Sequence, residues 1–133
     1  MGMTKSAVKF TADQIRNLKR IAKEKKLKGA DVLDQYTDDQ MIESFNGAGS
    51  SSAPEWERWI LTKILQKKLP AILIHDMQFR KGGTEEDFNR VNQELLDNIL
   101  AMDEGSKSKW WNFVADKAKE YSDKNGRPGW GVA

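Results

Sequence analysis

The fold of this chain is decided by one stretch of sequence, which reads Pro70-Ala71-Ile72-Leu73-Ile74-His75-Asp76-Met77-Gln78-Phe79-Arg80. Pro70 suits the first turn of a helix, and apolar side chains then occupy much of the helix circumference. A helix that is apolar on most sides has to be covered by other elements of the protein. The sequence therefore predicts a central, buried helix with His75 in its middle.

His75 is the only histidine of the chain, and Asp76 follows it directly. The unperturbed pKa of histidine lies near neutrality, so His75 could take a proton from water while Asp76 held a cation. Alternatively, His75 packs in the core and its ring nitrogens bond to backbone carbonyls or water. The dipeptide alone leaves both interpretations open.

Length and composition restrict the class of protein. A chain of 133 residues is most simply one domain and is long enough to bury a core. The absence of cysteine excludes disulfides, thiol catalysis and thiolate metal sites, so a metal would be bound by oxygen. No apolar run approaches the roughly 20 residues of a membrane span, and a signal-peptide core is missing. We expect a cytoplasmic type of protein without a transmembrane segment.

Helix-start signals recur along the rest of the chain. Thr11 and Gln14 form a capping box, Thr37 and Gln40 form a second one, and Thr84 precedes three acidic residues. Apolar residues at spacings of three and four follow these starts. The predicted helices cover residues 11–26, 55–67, 70–80, 84–102 and 106–125, with short helical segments within residues 30–45.

These elements predict an all-α fold, a single compact domain of five or six helices, because no segment alternates as a strand would. Residues 1–28 form a basic N-terminal helix region of the domain, residues 29–126 form the helical core, and residues 127–133 form an irregular C-terminal tail. Trp130 in that tail either docks back on the domain or contacts a partner.

The net charge of +2 conceals an asymmetry, since residues 1–28 carry +7 and the remainder carries −5. Such a basic segment can attract phosphate on nucleic acid or on an anionic membrane surface. The alternative is a solvated helix face, because no aromatic residue interleaves the basic ones after Phe10. The candidate basic patch consists of Arg16, Lys19, Arg20, Lys23 and Lys26.

Three motifs follow one another along the chain. They are Asn46-Gly47-Ala48-Gly49, then His75-Asp76-Met77-Gln78-Phe79, then Gly82-Gly83-Thr84 with the acidic helix start behind it. In order and spacing they resemble short bacterial and phage proteins related to phospholipase A2, in which Asn-Gly-Cys-Gly precedes His-Asp-x-x-Tyr and Gly-Gly-Thr. The resemblance covers roughly residues 46–121.

The resemblance implies a calcium-dependent hydrolase of lipid esters. His75 would be the general base that activates water, Asp76 would be a calcium ligand, and the backbone of Gly47 and Gly49 would contribute to the ion site. Calcium takes about six to eight oxygen ligands and stabilises a developing oxyanion, which an oxygen-only site can provide.

Three positions depart from the pattern of that family. Ala48 replaces the cysteine of the glycine loop, and Phe79 replaces a tyrosine whose hydroxyl would orient a neighbouring carboxylate. The aspartate expected to hold the histidine falls at Asn92 or Gln93, and an amide does not stabilise imidazolium as a carboxylate does. A hydrolase of weakened or no activity is therefore one alternative.

Two further functions stay open. One is a catalytically silent phage or mobile-element protein that binds a host macromolecule in the host cytoplasm, for example an inhibitor of host defence of the anti-CRISPR kind. The other is a nucleic-acid-binding protein that uses residues 1–28. The expected partners are accordingly an anionic phospholipid surface, a host protein or nucleic acid. Phosphate binding would weaken steeply with salt, whereas a hydrophobic protein contact would not.

Overall fold

The computed structural model describes residues 11–45, 68–102, 109–125 and Trp130. The elements in these ranges are helices, which confirms the predicted all-α fold. They are α1 (Ala12–Glu24), the 3₁₀ helix η1 (Ala30–Gln35), α2 (Asp38–Phe45), α3 (Leu69–Lys81), α4 (Glu85–Ala101) and α5 (Lys109–Asn125).

α1 begins at the capping box that the sequence predicts. The Thr11 hydroxyl accepts the Gln14 N–H at 3.2 Å, and the Gln14 side chain accepts the Thr11 N–H at 2.8 Å. Each bond satisfies an N–H that the helix itself cannot pair. The inward face of the helix carries the buried residues Ile15, Leu18 and Ala22.

The end of α1 lies at Glu24, slightly earlier than predicted. Lys26 adopts a left-handed conformation with φ 54°, which cannot continue a right-handed helix. The Lys26 N–H bonds to the Lys23 carbonyl, and the Leu27 N–H reaches back to the Ala22 carbonyl, both at 3.1 Å. This pair of bonds is a Schellman closure, in which Lys26 occupies the position that most often carries glycine.

α2 opens with the second predicted capping box, in which Thr37 and Gln40 exchange bonds of 2.9 and 3.1 Å. Arg80 ties the far end of α3 to this helix. Its Nη1 lies 3.0–3.1 Å from three oxygens, those of the Gln40 backbone and of the Glu43 and Ser44 side chains. The two helices are therefore joined by a charged contact as well as by apolar packing.

α3 is the central helix, as the sequence predicts. It packs against α1, η1, α2 and α4. Ala71, Leu73 and Met77 on it have no exposed surface, and Ile72 and Ile74 are nearly as buried. Removing apolar surface from water stabilises the fold by roughly 25 cal/mol per Å². Because α3 is covered on several sides, its polar residues must find partners inside the protein.

Thr84 caps the start of α4. Its hydroxyl accepts the Asp87 N–H at 3.1 Å, and its own N–H donates to the Asp87 carboxylate at 2.9 Å. α5 packs along α4. Two amides, Asn92 and Asn98, are buried beside the apolar residues of α4. The predicted inward stripe is buried and consists of Phe88, Val91, Leu95 and Ile99.

The amide of Asn98 holds the connection between α1 and η1. Its Oδ1 accepts the Lys28 N–H at 2.7 Å, and its Nδ2 donates to the Lys28 carbonyl at 2.9 Å. One side chain thus pairs both backbone groups of Lys28. The connection is fixed to α4 although it belongs to no regular element.

Several predictions fall on residues that the structure does not describe. They are the glycine loop at residues 46–54, the helix at residues 55–67, and the start of the last helix near residue 106. Within residues 11–45, 68–102 and 109–125, no helix combines the length and the hydrophobicity that spanning a membrane requires.

Candidate functional site

His75 belongs to a polar cluster at the junction of α3, α4 and α5. Its Nε2 lies 3.0 Å from Asn92 Oδ1 and 3.2 Å from Ser122 Oγ. Asn92 is completely buried, and Ser122 is 5% exposed. Polar groups removed from water need partners within the protein. In this cluster the three side chains are one another's partners.

Asp123 determines which way the Asn92 amide points. Asn92 Nδ2 donates to Asp123 Oδ1 at 2.9 Å, and a carboxylate can only accept, so the amide oxygen has to face His75. Because that oxygen is also only an acceptor, His75 Nε2 must carry the hydrogen. The neutral imidazole is therefore the Nε2–H tautomer, and Nδ1 is left as the proton acceptor.

Asp123 also links the cluster to the protein surface. Its Oδ2 accepts a hydrogen bond from Lys119 Nζ, one turn earlier on α5, at 2.7 Å. The side chains of Lys119 and Asp123 are 30% and 34% exposed. A continuous series of hydrogen bonds thus runs from the imidazole through an amide to an ion pair that water reaches.

Burial lowers the pKa of His75 to about 4, because the surrounding protein replaces the water that would solvate an imidazolium ion. The hydrogen bond with Asn92 acts in the opposite direction, since its oxygen favours the charged ring. Some surface of the residue stays accessible. At neutral pH the ring is uncharged, which is the form a general base requires.

Ser122 is a support for this cluster and not a nucleophile. Its hydroxyl donates to Asn92 Oδ1 at 2.6 Å, so its proton points away from His75. A serine nucleophile would instead have to donate to the ring nitrogen that removes its proton. The hydroxyl oxygen serves as a second acceptor near Nε2–H.

An aromatic wall adjoins the imidazole. The ring centroid of Phe79 lies 4.4 Å from that of His75. Trp130 packs edge-on against Phe79 and Phe88, with centroid distances of 5.1 and 5.5 Å. Its Nε1–H donates to the Gly83 carbonyl at 3.1 Å. Of the two interpretations that the sequence left open for Trp130, the structure shows docking on the domain.

The sequence left two amides as candidates for holding His75, and the structure brings only one of them to the ring. Asn92 is in contact with His75, while Gln93 lies on the exposed side of α4 and donates to Asp97 at 3.1 Å. Gln93 therefore has no place in the cluster. The ring of Phe79 packs against the imidazole, a contact that the sequence motif did not predict.

Of the residues predicted to bind the calcium ion, the structure describes only one. Asp76 is half-buried on α3 beside His75, whereas Gly47 and Gly49 lie outside the described residues. In the described part of the chain, no three side chains of His, Cys, Asp or Glu are grouped to hold a metal. Asp76 has the chemistry of a calcium ligand, because Ca²⁺ prefers carboxylate and carbonyl oxygens.

The candidate basic patch on α1 is largely paired with acids. The partners come from α1 itself, from η1 and from the start of α2. These pairs reduce the positive potential that α1 presents to a phosphate. Lys26, the fifth predicted member, is the residue that closes the helix. The ion pairs are Arg16 with Asp13 and Asp38, Lys19 with Asp34, Arg20 with Glu24, and Lys23 with Asp31 and Asp34.

The sequence motifs do not include three members of the cluster, namely Lys119, Ser122 and Asp123. They lie more than 40 residues from His75 in the sequence, and no motif joins them to it. One signal was available, because Ser122 follows Val114 and Ala118 at the spacing of a helix face. A polar residue on an inward face calls for a buried partner.

Comparison of the chain with protein-family models, curated proteins and solved structures finds no match. The function is therefore argued from the geometry of the cluster.

Proposed function

We propose that this protein is a calcium-dependent hydrolase of lipid esters, similar to phospholipases A2, with His75 as its general base. One observation carries the proposal: Asn92 holds the imidazole by Nε2–H at 3.0 Å, which leaves Nδ1 to accept a proton. The proposed base requires this tautomer, because a proton-accepting Nδ1 is what removes a proton from water. The order of the sequence motifs supplies the substrate class.

The reaction requires a water molecule and an ester. His75 Nδ1 takes a proton from the water, whose oxygen forms a bond with the ester carbonyl carbon. The resulting tetrahedral intermediate breaks the bond between that carbon and the alcohol oxygen, and the alcohol leaves with the proton from Nδ1. The products are a fatty acid and a lysophospholipid. His75 is returned to its neutral Nε2–H form.

Asp76 is the side chain that would hold the cation, together with backbone carbonyls of the glycine loop around Gly47 and Gly49. A bound Ca²⁺ supplies charge stabilisation to the oxygen of the attacked carbonyl. Asp76 lies next to the base on the same helix, so both groups are positioned by the packing of α3. The proposal requires the cation and the base to act on the same substrate.

Turnover by this site is slow. Asn92 is neutral, so it orients the ring without balancing the positive charge that develops on it. The low pKa of His75 has the same consequence, because a ring that resists protonation is a weak base. Fixed geometry and weak basicity together define a hydrolase with modest activity.

The test is release of fatty acid from phosphatidylcholine and phosphatidylglycerol vesicles, with calcium and with a calcium chelator. We expect wild type to release fatty acid and His75→Gln to release none. Lys81→Gln, at the exposed end of the same helix, is the matched control and should retain wild-type activity. Equal release by wild type and His75→Gln, or none by either, contradicts the proposal.

Calcium binding is tested separately by calorimetry. Asp76→Asn keeps the size of the side chain but removes the charge, and we expect it to bind calcium at least roughly tenfold more weakly. Lys81→Gln should bind as wild type does. If wild type binds no calcium, the calcium-dependent mechanism is wrong.

The two alternative functions, a silent binder and a nucleic-acid-binding protein, predict different results. A folded protein that neither binds calcium nor hydrolyses ester would support a silent binder of a host macromolecule. Binding to nucleic acid that falls steeply with salt would support use of the basic residues 1–28. The ion pairs of Arg16, Lys19, Arg20 and Lys23 with acids argue against that last function.

A further inference from the structure

We infer that Asp123 is a positioning residue for His75, acting through the amide of Asn92 to fix the ring in its Nε2–H tautomer. The inference rests on the proposed role of His75 as a base, which requires a proton-accepting Nδ1. It assigns to α5 a part in the site, although none of the sequence motifs lies on that helix.

The side-chain amide of Asn92 could fit its site in two orientations. The oxygen and nitrogen of an asparagine side chain have nearly the same shape, so rotation by about 180° exchanges a donor for an acceptor. His75 could accommodate either orientation, because a neutral imidazole has one donor and one acceptor nitrogen. Asn92 and His75 alone would therefore not determine which ring nitrogen carries the hydrogen.

Asp123 removes this ambiguity. Its carboxylate accepts the Asn92 N–H at 2.9 Å and would repel the amide oxygen if the amide were reversed. A hydrogen bond to a charged acceptor is roughly twice as strong as one between neutral groups. Lys119 keeps the carboxylate in place through the 2.7 Å bond to its second oxygen.

Ser122 strengthens the same orientation. Its hydroxyl donates to the oxygen of Asn92 at 2.6 Å, next to the point where His75 Nε2–H arrives. The amide oxygen therefore receives two hydrogens while the amide nitrogen gives one to Asp123. Of the side chains that bond directly to Asn92, only Asp123 is charged and partly exposed, so Asp123 can be changed without removing a buried member of the cluster.

The test is the ¹⁵N NMR spectrum of the His75 ring at neutral pH, in which the two tautomers have distinct nitrogen shifts. Because the chain has one histidine, the assignment is unambiguous. We expect wild type to be in the Nε2–H form. In Asp123→Ala the ratio of Nε2–H to Nδ1–H should fall roughly tenfold or more, since a charged hydrogen bond is lost. Asp116→Ala, an exposed carboxylate on α5, is the matched control and should leave the ratio unchanged.

Two results would overturn the inference. One is a wild-type ring in the Nδ1–H form. The other is an Asp123→Ala spectrum that matches that of Asp116→Ala. Asp123→Asn, which keeps the shape and can still accept the Asn92 N–H, should give a smaller change in the same direction. It replaces Asp123→Ala if that variant does not fold.

The spectrum is independent of ester hydrolysis, so the two proposals fail separately. A tautomer that depends on Asp123 in a protein without hydrolase activity refutes the proposed function and leaves the positioning role intact. Hydrolysis that depends on His75, with a tautomer indifferent to Asp123, refutes the positioning role alone.

Discussion

His75 Nε2 and Asn92 Oδ1 lie 3.0 Å apart, and the amide that approaches the ring is itself fixed by a carboxylate on a third helix. The negative charge of Asp123 is thus separated from the imidazole by one neutral link. An acid in direct contact would raise the pKa of the ring, whereas a neutral amide does so only weakly. The order of acid and amide in this cluster therefore controls the basicity of His75.

Exchanging the acid and the amide should make the base stronger. In the double variant Asn92→Asp with Asp123→Asn, every hydrogen bond of the cluster can form and the total charge is unchanged. The carboxylate then accepts the His75 N–H directly, so we expect the pKa of His75 to rise and hydrolysis to accelerate at least roughly tenfold. NMR titration and the vesicle assay measure the two effects.

The single variant Asn92→Asp is the control for that exchange. It places a new buried carboxylate against Asp123, and repulsion between them should lower the free energy of unfolding by about 2 kcal/mol or more relative to the double variant. Urea unfolding at neutral pH measures this difference. Equal stability of the single and double variants would show that the two side chains are not in contact.

Acid should destabilise the protein through His75. The ring has a pKa of about 4 when folded and 6.5 as its ordinary value, so the unfolded chain binds more protons between these limits. The part of the unfolding free energy that depends on neutral His75 is therefore fully present above pH 6.5. It is lost as the pH falls toward 4. The loss amounts to at most about 3 kcal/mol, and to less where accessible surface admits water.

Urea unfolding of wild type and His75→Gln across this pH range isolates the effect. Carboxylates that titrate in acid are common to both proteins, so the difference between the two curves reports on His75. We expect wild type to lose more stability than His75→Gln between pH 6.5 and 4. Parallel curves would contradict the burial of the imidazole.

Lys26→Gly should stabilise the fold. Lys26 closes α1 at φ 54°, a conformation that costs an ordinary residue roughly 1 kcal/mol and glycine nothing. After the entropy that glycine adds to the unfolded chain is subtracted, a gain of about 0.5 kcal/mol remains. Lys25→Gly, at a right-handed position, should instead lower stability. Thermal unfolding of the two variants gives opposite shifts if the closure is as described.

Trp130→Ala should remove the contacts that residue 130 makes with the domain. The substitution removes two ring contacts and the bond to the Gly83 carbonyl, which we expect to cost about 2 kcal/mol for a half-buried side chain. Trp130→Phe retains ring packing and loses only the hydrogen bond, about 1 kcal/mol. Chemical denaturation measures the unfolding free energies, which should fall from wild type to Trp130→Phe to Trp130→Ala. A Trp130→Ala variant as stable as wild type would mean that the Trp130 side chain is not docked in solution.

Local signals were sufficient to predict most of the described helices. The capping boxes at Thr11, Thr37 and Thr84 form as expected, since each depends on residues within one turn. α1 ends before the predicted residue because the left-handed turn at Lys26 contains no glycine, the residue that usually marks such a turn in a sequence. The central position of α3 followed from its apolar circumference.

The candidate site was predictable only in part. His75 and Asn92 are close enough in the sequence for a motif to connect them, although the motif could not choose between Asn92 and Gln93. Asn92, and not Gln93, contacts His75 because Asn92 is buried on the inward face of α4. Ser122 and Asp123 arrive through the packing of α5 on α4, a long-range event that no local spacing encodes.

The two hydrogen bonds between the Asn98 amide and the backbone of Lys28 help to make the fold unique. Apolar stripes attract one another in many relative positions, and a helix displaced by one turn would still bury its side chains. A buried amide meets both of its hydrogen-bond partners in only one position of the helix. In any other position the amide would be unsatisfied, which costs roughly 1–3 kcal/mol. Asn98 and Asn92 therefore penalise slipped arrangements of α4 and select a single register from those that hydrophobicity alone would allow.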